Sequence, residues 1–264
     1  MARAARLVAA LLFASACQTV VPAIPLAPND PRPAARLAQW EEAAGDRHSL
    51  RGRARLAVDG YDGEVRIRGN EIVVLERPAR MRIEVLGFLN QTAAVIATDG
   101  ERFEIFRSGD RSYETGEVNE QLLWQEAHLA LTPEEAVEVL LGVPVLGAGL
   151  RPGRAVDAGE GLIRMDLVDA ERRVRERAAF DAEARLREFE VVGEDGALRW
   201  RAGFGDYAPV DGVPFAHQIV LDVSAGSAHV EISLRDVELN PELPPDIFRL
   251  RAPAETGAPE GEGG

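Results

Sequence analysis

The chain has 264 residues, its 30 basic residues are all Arg, and 44 Asp and Glu bring the net charge to -14. That balance excludes a nucleic-acid binder working through clustered cations and counterion release. A single Cys cannot form an internal disulfide, four scattered His make a poor metal-ligand set, and no apolar run approaches the roughly 18 residues of a membrane-spanning helix.

The N-terminus opens with Arg3 and Arg6, continues through the apolar run Leu7 to Phe13 and reaches Ala14-Ser15-Ala16-Cys17. This is the layout of a secretory signal. Small residues directly before the only thiol look like a lipobox, although Ala14 stands where such signals more often carry Leu. We therefore expect a lipoprotein signal peptide over 1–16 and lipid attachment at Cys17, against the plainer reading of an ordinary signal in which Cys17 is incidental. Five prolines between 18 and 33 read as an extended tether, giving a lipidated Cys and Pro-rich segment over 17–33. The tail 252–264, rich in Gly, Pro, Glu and Ala, has nothing to bury and is expected to be disordered and acidic. A single folded domain remains over 34–251.

Within it, Ala34 to Ala44 reads as an amphipathic helix with Leu37 and Trp40 on one face. Period-2 alternation then recurs with turn residues between the runs, the signature of antiparallel strands with one apolar and one wet face. Leu50, Gly52, Ala54, Leu56 and Val58 alternate with Arg51, Arg53 and Arg55; Val65 and Ile67 with Arg66 and Arg68; Met81, Ile83 and Val85 with Arg82 and Glu84. Val118 to Leu141 is a second helical region. Inside it Thr132-Pro133-Glu134-Glu135 combines an N-cap hydroxyl, Pro at the first helical position and an acid at the third, and Gly142 marks a stop. Gly147-Ala148-Gly149 with Pro152 and Gly153 reads as a flexible connection. Met165 and Leu167, then Ile219 and Leu221, continue the inward rows, and the phase change from Leu234 to Val237 predicts a β-bulge at Arg235-Asp236. The fold class is mainly β with α: a curled antiparallel sheet of ten to eleven strands, a half-open barrel enclosing two or three helices.

With this layout in place, several segments resemble the LolB family of outer-membrane lipoproteins. They are the helix ending near Trp40, Ser49-Leu50-Arg51-Gly52-Arg53-Ala54, Arg82-Ile83-Glu84-Val85-Leu86-Gly87-Phe88-Leu89-Asn90-Gln91-Thr92-Ala93-Ala94, Leu140-Leu141-Gly142-Val143-Pro144, Asp206-Tyr207 through Gly212-Val213-Pro214, and Asn240 with Phe248. The resemblance implies an apolar cavity that receives acyl chains and a protruding apolar loop for membrane insertion, which maps onto Gly87-Phe88-Leu89-Asn90. Phe88 departs from the family, which usually has Pro there. The resemblance further implies acylated lipoproteins and a LolA-like periplasmic carrier as partners, and a place on the bacterial outer membrane, lipid-anchored with the body in the periplasm. Gln18, not Asp, follows Cys17, which favours that destination.

Read from the residues alone, Phe88 and Leu89 lie between turn formers, and they either fold back over the sheet's open end or form an exposed membrane or cargo contact. Likewise the inward row Leu56, Val58, Val65, Ile67, Met81, Ile83, Val85, Met165, Leu167, Ile219 and Leu221 either fills a core or lines an acyl-chain cavity. No Gly-x-Ser-x-Gly, His-Glu-x-x-His or phosphate-loop motif is present, His217 and His229 read as surface hydrogen-bond partners, and no cofactor is called for. The expected function is binding without bond chemistry: a membrane-anchored lipoprotein that takes acyl chains of client lipoproteins and helps insert them into the outer membrane. The alternative is a structural envelope lipoprotein with a filled core that acts as a protein-binding adaptor.

Overall fold

All strands of the computed structural model pair antiparallel in one sheet; the structure describes residues 23–60, 63–119, 121–127, 129–144 and 146–250. The expected signal peptide, Cys17 and the tail 252–264 lie outside the described residues. In chain order, β1 (Ile24–Pro25) precedes α1 (Pro31–Gly45). A first meander follows: β2 (Ser49–Gly60), β3 (Val65–Glu76), β4 (Arg80–Leu86), β5 (Thr92–Thr98), β6 (Arg102–Arg107) and β7 (Ser112–Glu117). Then come α2 (Leu122–Ala127) and α3 (Pro133–Leu141). The second meander is β8 (Arg151–Asp157), β9 (Ile163–Val168), β10 (Val174–Phe180), β11 (Leu186–Val192), β12 (Leu198–Val210), β13 (Val213–Val223) and β14 (Ala228–Leu239).

The spatial order is β1-β8-β9-β10-β11-β12-β13-β14-β2-β3-β4-β5-β6-β7. Pairing of β14 with β2 joins the two meanders, and β1 and β7 are the free edges, so the sheet is open. Because β7 and β8 stand at or next to opposite edges, the chain between them must cross the sheet, and it does so carrying α2 and α3. The two long helices divide the apolar face. α1 lies against β8 and β9, while α3 lies against β3 and β4. One continuous core cluster includes Leu37 and Trp40 of α1, Val137 and Leu141 of α3, and residues of both meanders.

Local sequence explains the helix ends. The Asp30 side chain accepts from the Arg32 N–H and Pro31 takes the first helical position, so α1 starts three residues earlier than Ala34. Its first-turn prolines, expected in an extended tether, cost nothing where no N–H bond is due. Trp40 on its buried face meets Phe180 at 5.8 Å between ring centroids. Trp40→Ala should cost about 3–5 kcal/mol, read as a lower urea midpoint; a loss below about 1 kcal/mol would show that α1 does not anchor this half. α3 follows its expected bounds. Thr132 and Glu135 form a reciprocal capping box, and Gly142 closes the helix at φ 67°. The buried Arg47 guanidinium donates to the Leu141 and Pro214 carbonyls at 3.3 and 2.7 Å, tying the C-terminal end of α3 to the sheet.

The sheet has fourteen strands, not ten or eleven. Two of the extra strands come from segments read as linkers. Ile24 pairs with Asp157 and Pro25 with Val156, so part of the expected tether is docked on the sheet. Arg151–Asp157, whose start overlaps the expected flexible connection over Gly147 to Gly153, is β8; its Pro152 and Gly153 are accommodated by a register shift between Pro152 and Ala155, next to the sheet edge where an interrupted ladder is tolerated. The bulge at Arg235-Asp236 is present: the β14–β2 register shifts between Arg235 and Glu238, with Asp236 at φ 50°. Gly52 is small for this reason, since an added Cβ would sit 3.2 Å from the Arg235 carbonyl oxygen.

Candidate functional site

The expected wet face holds. Cross-strand pairs such as Arg51–Glu238 at 2.5 Å, Arg177–Glu190 at 2.8 Å and Arg201–Asp222 at 2.9 Å run across the outer surface, exposed pairs that individually add little stability. His229 Nδ1 lies 2.7 Å from Asp222 Oδ1, and His217 Nδ1 lies 3.1 Å from the Leu234 carbonyl. Among the described residues no group of three or more His, Cys, Asp or Glu is placed to hold a metal ion.

On the inner face, the side chains of β2, β3 and β4 and the helices opposite them do not close up. A cavity of about 220 Å³ remains, walled by Leu56 and Val58 of β2, Ile67 and Val73 of β3, Met81, Ile83 and Val85 of β4, Leu221, Val230 and Ile232 from β13 and β14, and Leu123, Ala136, Val139 and Leu140 from the helices. For scale, an engineered apolar cavity of about 150 Å³ stays dry and binds benzene. Ala54 contributes to the gap, because a methyl stands there opposite the wider aliphatic row. Of the eleven residues expected to line an acyl-chain cavity, Leu56, Val58, Ile67, Met81, Ile83, Val85 and Leu221 are brought together here. Met165, Leu167 and Ile219 do not line it and are buried elsewhere in the same core cluster. The division of the inner face separates the two on β9 from that cavity: α1 packs against β8 and β9, whereas α3 packs against β3 and β4. Val65 lies outside the lining too, at the far end of the β2–β3 hairpin where it pairs with Gly60.

One wall residue is not apolar. Glu71 points inward in the row Ile67, Gly69, Glu71, Val73 of β3, is 4% exposed, and its Oε2 has no hydrogen-bond partner among the described residues. A Cβ at position 69 would collide with Glu71 Oε1, so Gly69 makes room for the acid. Burial pushes the Glu71 carboxyl up to about 7, with the Leu56 N–H opposing the shift. The alternation alone shows the anomaly, an acid in the apolar phase of a strand, but the sequence pattern is followed there only through Val65 and Ile67, whereas the strand runs for twelve residues and carries the same inward row on to Glu71.

The sign of the pH effect follows. Between the ordinary Glu value of 4.5 and about 7 the folded chain keeps a proton that the unfolded chain has released, so this group imposes no penalty below 4.5, a growing one up to about 7, and a constant one above, on the order of 3 kcal/mol. Glu71→Gln should therefore raise stability by roughly 1–3 kcal/mol at pH 8 and by much less at pH 4.5, as read from urea unfolding at the two pH values. An equal gain at both would contradict a buried, unpaired carboxyl.

At the sheet end nearest Glu71, β4 and β5 are joined by a single 3-10 turn over Phe88–Asn90. Gly87 and Gln91 close it through an N–H to carbonyl bond of 2.8 Å. Phe88 and Leu89 are each 83% exposed, so they do not fold back over the sheet. Leu89 sits at φ 66°, in the left-handed region that costs a non-Gly residue about 1 kcal/mol or more. The turn thus holds two large apolar side chains in water, three positions beyond the cavity residue Val85.

An open, curled antiparallel sheet that carries helices over an apolar cavity defines the architecture. No family model and no curated protein matches the chain. Among solved structures it is similar to a LolA superfamily protein from Nitrosomonas europaea, with a TM-score of 0.54 and 13% identity over 81% of this chain and 97% of that one. It is also similar to a DUF1329 family protein from Desulfovibrio piger, with a TM-score of 0.52 and 8% identity over 84% of this chain and 98% of that one. What the chains share at these identities is the fold.

Proposed function

We propose that this protein is an outer-membrane lipoprotein, anchored through Cys17 with its body in the periplasm, that receives acyl chains of client lipoproteins from a LolA-like carrier and delivers them to the membrane at Phe88-Leu89. The observation that carries this reading is the unfilled apolar cavity under the β2–β4 wall. The sequence resemblance to the LolB family and the superfamily fold support it, as does the exposed apolar turn beside the cavity. Burial of hydrocarbon at about 0.8 kcal/mol per methylene provides the binding energy, and transfer runs down a gradient of apolar complementarity from carrier to cavity to bilayer, with no bond chemistry. The adaptor alternative requires a solid interior, which the cavity speaks against.

The test is to incubate the chain from Gln18 onward with an acylated lipoprotein loaded on its periplasmic carrier, then follow the cargo by pull-down. Cargo should move to this protein in a complex that survives washing. A correctly folded protein that takes no cargo would leave the adaptor reading.

A further inference from the structure

Glu71 has no place in a simple hydrocarbon container. A carboxyl with an unpaired oxygen in an apolar wall is costly, and replacing it with an aliphatic residue would both enlarge the greasy surface and remove the penalty. The other charged groups on the wall are engaged. Arg68 donates to the Val58 and Ile67 carbonyls at 2.9 and 2.8 Å and to Asp59 at 2.6 Å, and Glu126 of α2 accepts from Arg107. Glu71, which lines the space, has one carboxylate oxygen, Oε2, buried without a partner among the described residues. Its position is specific as well. It pairs with Val85, one step from the end of the β4–β5 hairpin that carries Phe88 and Leu89, so it stands where the polar end of a chain lying in the cavity would be found near the exit.

We propose that Glu71 sets which acyl compounds the cavity accepts: those whose polar end presents an N–H or O–H donor, as an amide-linked acyl chain does, and not free fatty-acid carboxylates. This rests on the cavity reading above and names its ligand class. A donor satisfies the orphan oxygen and removes the penalty of leaving it bare. A ligand carboxylate brings a second acceptor, and a second negative charge, against the first in a site with little water to screen them. Sites that contain a buried polar group discriminate far more sharply than apolar ones, because the wrong ligand leaves that group unpaired.

The experiment uses the chain from Gln18 to Gly264, which holds every described element, and diphenylhexatriene, a dye with no donor or acceptor, whose fluorescence reports occupancy of the apolar space. Dodecanamide and dodecanoate then compete for the dye at pH 8. Dodecanamide should displace it at a concentration at least tenfold lower than dodecanoate, and in Glu71→Leu and Glu71→Gln that ratio should fall toward one or invert. The ratio is taken within each variant, so a change in overall affinity cancels. Dye capture with a ratio near one in the unaltered protein, or the same ratio in both variants, overturns the role of Glu71 and leaves the cavity reading standing. Absence of dye capture overturns both.

Discussion

On the proposed function, replacing Phe88 and Leu89 together with Glu should abolish delivery of cargo to liposomes while leaving uptake of cargo from the carrier intact. The two side chains stand 83% exposed on a turn whose closing bond joins Gly87 and Gln91, so polar replacements there remove nothing from the core. Leu89 combines a left-handed backbone at φ 66° with a side chain 83% exposed, so its replacement by Glu is not expected to unfold the hairpin. Insertion of each apolar side chain into a bilayer is worth about 1.5–3 kcal/mol. Losing both removes on the order of 4 kcal/mol, close to a thousandfold in membrane partition. The measurement is flotation of labelled cargo with vesicles, run beside the carrier-to-protein transfer step. Unchanged flotation would take the turn out of the mechanism, and loss of both steps would mean that the turn also serves capture.

The second large effect is expected from filling the cavity. Ala136 lies on α3 and its methyl forms part of the wall. In a close-packed interior an added ring costs about 1–3 kcal/mol of strain, but here Ala136→Phe has empty space to enter. Cargo or acyl-probe affinity should fall at least tenfold with the unfolding midpoint unchanged or raised. The pairing of these two outcomes separates the cavity from a solid core. If binding persists the chain lodges elsewhere, and if the protein is destabilised by several kcal/mol the interior has no room there.

The sheet, its wet face and the α3 caps were legible because each is written locally. Alternation shows a strand's two faces, and Thr132-Pro133 with Gly142 bounds a helix wherever the helix is placed. The bulge at Arg235-Asp236 was readable for the same reason, as a one-residue change of phase. β1 and β8 were not. Ile24-Pro25 and the Pro152-Gly153 segment carry breaker residues, and only their positions at and beside one sheet edge make those breakers tolerable. The cavity was half legible. Met165 and Leu56 look alike in sequence, both inward on alternating strands, and what separates them is which helix lies opposite: Trp40 of α1 belongs to a helix packed against β9, while Ala136 and Leu140 leave a gap over β2–β4. Helix placement depends on the crossing between β7 and β8, a property of the whole topology. Phe88 and Leu89 could be found as an apolar tip, but whether the tip turns outward depends on the φ of 66° at Leu89, which no pattern displays.

The most direct measurement of the central claim is photo-cross-linking with an acylated lipoprotein whose fatty chain carries a terminal diazirine, mapped by mass spectrometry. Adducts should fall on the cavity wall, at Leu56, Ile83, Leu123 or Leu140, and should be lost in Ala136→Phe. Adducts confined to the outer Arg-bearing face, or none on a folded protein, would contradict that claim.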